Sequence, residues 1–496
     1  MLASLAVHFP VLQVVLPLMA APACMLLRRP ALVWGFAVLV MVLAFAISVA
    51  LLAQVLANGP ISYELGGWEA PWGIEYRIDL LNAPLLMLIS GISAVTLMAA
   101  RTTIQNEIPS DRHTMFYIAW LLCTAGLLGI LATGDAFNVF VFLEISSLSA
   151  YTLIALGKDR RALWASYQYL IAGTIGATFI LIGIGMIYMM TGTLNMADLA
   201  QRLPEVASTR TVFTAFAFFM VGVCLKLALF PLHLWLPNAY AFAPSAVTAF
   251  LAATATKVAV YVLLRFIFSV FGYEFSFEHL PLQEALLTLG LLGIFVASTI
   301  AITQNNLKRM LAYSSVAQIG YLIVGISFAS ETGVMATLLH MLNHGVMKGA
   351  LFLSLAAVVY RLGIAQLDQM HGIAARMPWT MAAFVIGGLS LIGVPLTAGF
   401  VSKWYLVSAA LENGWWPVAA LILVGSMLAV IYIWRVVEVA YFKPVADSAV
   451  EVREAPVSLL LPMWTLVLAN LHFGINTELT VGVSQLAAAS LFGGAL

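Results

Sequence analysis

The chain has 496 residues, 63% of them hydrophobic and 9% charged, with no net charge and a mean hydropathy of +1.02. That composition excludes a soluble globular enzyme and defines a helical integral membrane protein. The balanced charge implies no nucleic-acid partner, and apolar runs that are continuous rather than alternating exclude a membrane β-barrel.

A membrane helix needs roughly 20 apolar residues, and the pattern predicts about fourteen such spans. They lie near 7–27, 31–56, 80–100, 114–132, 136–156, 163–191, 211–241, 245–271, 284–304, 308–329, 332–360, 378–410, 415–442 and 456–475. The N-terminus lacks the basic start of a cleaved signal, its first cation being Arg28. Cys24, Cys123 and Cys224 fall singly in predicted helices at no disulfide or metal spacing, and are read as small packing residues. No redox cofactor is expected, because the chain has neither a cysteine cluster nor a nucleotide-binding glycine motif.

Charge between the spans predicts orientation. Arg28, Arg29, Arg101, Arg112, Lys158, Arg160, Arg161, Lys308, Arg309, Arg361, Arg376, Lys443 and Arg453 fall in loops on one side. Only Arg77, Arg202 and Arg210 fall on the other. Thirteen against three places both termini on the periplasmic or extracellular side of a bacterial plasma membrane. The loops are too short for a soluble catalytic domain. Residues 61–79, with two short runs separated by glycines, predict an external β-hairpin. The acidic segment from Lys443 to Glu454 reads as a solvated loop.

Six cations remain inside or at the ends of predicted spans: Lys226, Lys257, Arg265, Lys348, Lys403 and Arg435. A charge at the bilayer centre costs at least about 2.5–3.5 kcal/mol and ordinarily marks an ion or proton path. The first acid met inside a span is Glu144, with Ser147 on the same helical face. Residues 222–268 then carry Lys226 and Lys257 on either side of Pro231, Pro237 and Pro244. Proline inside a membrane helix frees a carbonyl, which is tolerated only where the backbone is buried in protein or lines a watery cavity. Thr254 and Tyr261 flank Lys257, while Arg265, near a span end, reads as a snorkelling side chain.

His340, His344 and Lys348 are spaced by four, which sets all three on one face over two turns. Histidine exchanges protons near neutral pH, so the stripe suits a hydrogen-bonded water chain. A metal reading is weak, since the helix lacks the acid of a zincin and lysine is a poor ligand. The span 378–410 repeats the earlier pattern, with Pro395 and Gly399 interrupting an apolar run before Lys403. Paired interrupted segments point to inverted-repeat transporters with a path at mid-membrane. Arg435 and Glu438, three apart, are expected to pair with each other.

The stretches PLHLWLPNAYAFAPSAVTAFLAATATKVAVYVLLRF, NNLKRMLAYSSVAQIGYLIVG, HMLNHGVMKGALFLSLAAVVY and GGLSLIGVPLTAGFVSKWYL resemble the antiporter-like subunit superfamily. That superfamily holds the A-type and D-type subunits of Mrp-type cation/proton antiporters and the L-, M- and N-type subunits of respiratory complex I. The resemblance covers residues 60 to 440, with four long motifs in order. It implies an all-α core of fourteen helices built from two inverted five-helix repeats, 114–271 and 284–442, with the seventh and twelfth helices broken. Residues 1–113 would supply three helices and the hairpin, and 443–496 a last helix and tail. It further implies a proton path through Glu144, Lys226, Lys257, His340, His344, Lys348 and Lys403, with no cofactor and no metal.

The segment GGWEAPWGIEYRIDLLNAPLL looks like the external hairpin of the D-type Mrp subunits, and the chain lacks the C-terminal extension of the larger relatives. Lys403 stands where the M-type subunits of complex I typically have glutamate. The expectation is therefore a D-type, proton-translocating component of a multisubunit Na+/H+ antiporter, a transporter component rather than an enzyme. Its partners would be the other membrane subunits of the complex. The alternatives are a proton-pumping, N-like subunit of complex I or of a membrane-bound hydrogenase, and a subunit of an inorganic-carbon transporter. A purely structural scaffold would tolerate neutralisation of the buried charges.

Overall fold

A computed structural model of the protein describes residues 6–444 and 452–493. Among these residues, 13 helices are long and apolar enough to cross a membrane. In chain order the helices begin with α1 (Phe9–Ala23) and α2 (Pro30–Asn58), followed by strands β1 (Ile61–Glu64) and β2 (Glu75–Ile78). Next come α3 (Ala83–Glu107), α4 (His113–Ala132), α5 (Ala136–Ala155), α6 (Arg160–Thr191) and the short α7 (Met196–Val206). The first broken span is α8 (Arg210–Leu227) and α9 (Trp235–Phe242), then α10 (Ser245–Leu264), α11 (Leu282–Thr303), α12 (Leu307–Ser327) and α13 (Glu331–Leu362). The second broken span is α14 (Pro378–Ile392) and α15 (Ala398–Glu412), before α16 (Trp416–Val437), α17 (Val457–Ile475) and α18 (Glu478–Leu491).

Polar residues at the membrane faces start these helices. Asp135, Asp159, Asn195, Asn306 and Ser330 each accept a bond from a free backbone N–H of the first turn. Left-handed glycines end several, among them Gly192, Gly363 and Gly393. A helix apolar on all sides is buried or faces lipid, and both cases occur. Every residue of α12 except Arg309 is buried, and every residue of α10 except Ala255. Only nine of the 29 residues of α2 are buried instead, the rest forming an apolar surface of the kind lipid covers. Small residues let the helices approach: a Cβ on Gly222 of α8 would lie 2.5 Å from the Gly176 carbonyl oxygen of α6.

The expected hairpin is present, antiparallel, with Ile61 opposite Ile78 and Glu64 opposite Glu75. Its Glu75 is buried and accepts from Ser62 Oγ (2.8 Å) and Asn195 Nδ2 (3.0 Å), which ties the hairpin to the start of α7. The hairpin marks one membrane face of the protein, the hairpin face.

Four expectations fail. Arg265 does not snorkel: its guanidinium makes an ion pair with Asp79 at 2.8 Å and rests against the Tyr261 ring. Burial alone pushes the Asp79 carboxyl up, yet the adjacent Arg265 outweighs burial and holds it below the usual carboxylate range. Arg435 donates to the Gln304 carbonyl (3.5 Å) and Asn305 Oδ1 (3.4 Å) on the turn before α12, rather than to Glu438. Lys308 is not a loop cation but a buried residue of the first turn of α12, 7% exposed. Of the segment read as a solvated loop, residues 445–451 lie outside the described residues, while Glu454 is tied down. Its carboxylate accepts from the Trp379 N–H (2.7 Å) and Thr380 Oγ1 (2.6 Å) at the start of α14. There it satisfies orphan donors and the positive end of the helix.

Candidate functional site

The two breaks are built differently. In the first, Ala228 takes a left-handed conformation after α8, and the Trp235 indole donates to the Leu225 carbonyl at 3.0 Å. Trp235 in turn stacks on Tyr169 with ring centroids 3.9 Å apart. An aromatic side chain thus joins the Ala228 N–H (3.3 Å) as a partner of a carbonyl at the break. The Lys226 ammonium, one residue away, is therefore left for other partners. In the second break, Lys403 itself satisfies the freed backbone, donating to the Leu391 and Ile392 carbonyls at 2.9 and 3.0 Å. Its third partner is Ser426 Oγ at 3.0 Å, and it lies 4.8 Å from the centre of the Tyr321 ring.

Lys226 Nζ donates to Ser147 Oγ at 2.8 Å and stands 3.6 Å from Glu144 Oε1. The expected acid–base pair is present. Glu144 is 27% exposed, on the outward stripe of α5 with Phe137 and Leu148, whereas Lys226 is 5% exposed. The carboxylate thus sits at the rim of the protein and the ammonium inside it. A cavity of about 30 Å³ lies inward of the pair, lined by Ser147, Tyr169, Lys226, Ala255 and Ala259. That is room for about one water, between Lys226 and the helix that carries Lys257.

Lys257 is wholly buried and bonds its own helix, to the Ala252 carbonyl at 2.5 Å and Thr256 Oγ1 at 3.4 Å. The histidine stripe is also present: the His340 and His344 rings are parallel within 3°, with centroids 5.7 Å apart. His340 lies between Ser402 Oγ (2.8 Å, at Nδ1) and Gln318 Oε1 (2.9 Å, at Nε2). Neutral, the imidazole donates from Nε2 and accepts from Ser402; protonated, it donates to both, and the Ser402 hydroxyl turns to the Gly399 carbonyl at 3.2 Å. Both charge states keep two partners without movement of the ring. His344 is fully buried, and neither ring nitrogen has a hydrogen-bond partner among the described residues. Lys348 donates to the Leu311 carbonyl (2.8 Å) and to Ser314 Oγ on α12.

The seven residues therefore form two groups. Glu144 and Lys226 form one; the other is Lys257, His340, His344, Lys348 and Lys403, close enough that Lys257, Lys348 and Lys403 all act on His344. The second group contains three lysines and no carboxylate, and burying three ammonium groups without a counter-charge is costly. Sequence reasoning missed the partners that position it: Gln318, Ser314, Ser402 and Ser426. Ser402 adjoins Lys403, but a neutral side chain in an apolar helix carries no signal of its own.

Interrupted helices around a buried line of ionisable groups mark a multi-pass membrane subunit of the antiporter-like class. Residues 133–429 match the model of the NADH:quinone oxidoreductase/Mrp antiporter membrane family, and the chain belongs to that family. It is 42% identical to NADH-quinone oxidoreductase subunit N of Desulforudis audaxviator, over 97% of this chain and 98% of that protein. It is 32% identical to the D-type Na(+)/H(+) antiporter subunit of Alkalihalophilus pseudofirmus, over 90% of this chain and 88% of that one. The fold matches a chain of the Mrp complex from Dietzia sp. DQ12-45-1b with a TM-score of 0.90 at 25% identity, covering 99% and 98% of the two chains. The protein is an antiporter-like membrane subunit of the kind found in Mrp and complex I-like assemblies.

Proposed function

We propose that the chain translocates protons along Glu144, Lys226, Lys257, His344, His340 and Lys403, with Lys348 as a side branch, within a multisubunit Na+/H+ antiporter. The observation that carries this reading is the Glu144–Lys226 pair, an acid and a base 3.6 Å apart, with a cavity for about one water beside Lys226. When the pair closes, the carboxylate favours the ammonium; when it opens, burial favours release of the proton. The inner group then has histidines and lysines that exchange protons through short hops. Sodium has no place beside this cationic group, and its path is assigned to a partner subunit. A partly exposed carboxylate on an apolar outer stripe also calls for cover by a neighbouring subunit rather than by lipid.

The two interrupted spans support two inverted five-helix repeats over 114–271 and 284–442. So does a shared spacing: Glu144 lies two residues before Ser146, which faces Gly126, and Gln318 two before Gly320, which faces Gly290. The loop cations support a plasma-membrane orientation with the hairpin face outside.

A second reading is favoured by the 42% identity to an N-type subunit: proton pumping driven by a redox enzyme. Both readings use the same path and differ in the partner that drives it. Purification of the intact complex decides between them. Membrane subunits without flavin or iron–sulfur proteins, together with sodium-dependent proton exchange in vesicles, support the antiporter. Co-purifying redox subunits and flux driven by electron transfer reject it.

A further inference from the structure

Glu107 ends α3 on the face opposite the hairpin and does two things there. Its Oε2 accepts the backbone N–H of Ser245, the first residue of α10. Its Oε1 is buried and has no hydrogen-bond partner among the described residues, and neither has Ser245 Oγ next to it. Glu107 borders a cavity of about 250 Å³ open to that face, whose wall also includes Pro244, Asp159, Asn306 and Lys308. Lys308, at the cavity's inner wall, donates to the Ala243 carbonyl at 3.0 Å, in the turn before Pro244, and feels the charges of Glu107 and Asp159. One turn further along α12, the Leu311 carbonyl holds Lys348 of the inner group.

We propose that this cavity is the proton intake port of the path: Glu107 takes protons from water, and Lys308 passes them along α12 to Lys348. The proposal deepens the proton-path reading and rests on it. Protons from this face then join the path through its Lys348 branch, and the Glu144–Lys226 pair gates the path's other end. Each hop moves one proton and no electrons. Lys308 gives its ammonium proton inward and is refilled from Glu107, which is refilled from the cavity. Lys158 and Arg161 on the same wall disfavour a metal cation here, whereas a proton carried on a carboxylate brings no second charge.

The competing role for Glu107 is to cap α10, and the two roles separate by substitution. Glu107→Gln keeps an oxygen for the Ser245 N–H but no longer titrates; Glu107→Asp titrates with shorter reach. Proton flux is measured in sealed membrane vesicles holding the whole complex, with the amount of assembled complex as a second readout. Glu107→Gln and Lys308→Met are expected to slow flux by roughly tenfold or more, the scale of losing one proton-transfer group, while Glu107→Asp retains most of it. Wild-type flux in Glu107→Gln, with Glu144→Gln inactive, means that Glu107 only caps the helix and overturns the port. Wild-type flux in both variants overturns the proton path itself. Should Glu107→Gln fail to accumulate, Ile364→Cys on the cavity wall takes its place. A bulky, membrane-impermeant thiol reagent applied from this face is expected to slow that variant relative to its own unlabelled rate, and not the unsubstituted protein. Equal rates before and after labelling overturn the port.

Discussion

Lys226 is held more closely by Ser147 than by Glu144, at 2.8 Å against 3.6 Å. The hydroxyl fixes the ammonium while the carboxylate stands just beyond a hydrogen bond, so the ion pair can open without losing the lysine's position. This is the geometry a switch requires. Alanine at Glu144 or Lys226 is expected to abolish cation-dependent proton exchange in vesicles at unchanged assembly. Glu144→Asp keeps the charge but lengthens the gap and is expected to be partly active. Normal exchange in either alanine variant at normal protein level removes that residue from the switch.

His340 and His344 stack on each other and share their lysine neighbours, so they are expected to act as one unit. Alanine at either slows transport, and the double variant is little worse than the poorer single, since losses within one unit do not add. Fully additive losses, measured as initial rates of proton flux, assign the two rings to packing.

Lys403 has an evident structural use, because it satisfies the two carbonyls that the break in 378–410 leaves free. Arginine can donate to both carbonyls yet keeps its proton in any protein environment. Lys403→Arg is therefore expected to assemble and fail in transport. Lys403→Glu is expected to fail as well, placing acceptors against acceptors. Transport by the arginine variant at the wild-type rate would show that Lys403 is a carbonyl cap and no carrier.

Asp79 and Arg265 join the base of the hairpin to the end of α10. Breaking a buried ion pair by removing one partner costs about 3–5 kcal/mol, so Asp79→Asn is expected to lower the unfolding midpoint of the detergent-purified protein. The Asp79 carboxyl is held below its usual range, so its contribution is present above the unfolded value near ~3.9. It is lost only as pH falls through the lower, folded value. The wild-type advantage over Asp79→Asn is thus expected to be constant from neutral pH down to mildly acidic pH and to shrink below it. An unchanged midpoint for the variant, by thermal scanning at neutral pH, contradicts this account.

Spacing made much of this molecule legible. Steps of four announced the histidine–lysine stripe, prolines announced both breaks, and glycine-separated runs announced the hairpin. What stayed hidden depends on contacts far apart in sequence. Asp79 meets Arg265 across 186 residues, and a cation near a span end reads as snorkelling until its carboxylate is found. Lys308 read as a loop cation because it begins a helix after two asparagines; its burial comes from α9, α3 and the turn at Pro244, which no local pattern encodes. Glu454 lay in an acidic run, and only the fold brings it to the start of α14. The neutral partners Gln318, Ser402 and Ser426 matter through the ring or ammonium they touch.

Lys257 tests the central claim most directly, because it is fully buried, bonds only its own helix and belongs to the inner group on the helix that borders the cavity beside Lys226. The measurement is proton flux through the whole complex in sealed vesicles with Lys257→Met, at confirmed assembly. A continuous path through this chain predicts flux at the background level, whichever partner drives it. Flux at the wild-type rate would contradict the path and leave the buried lysine as a structural feature.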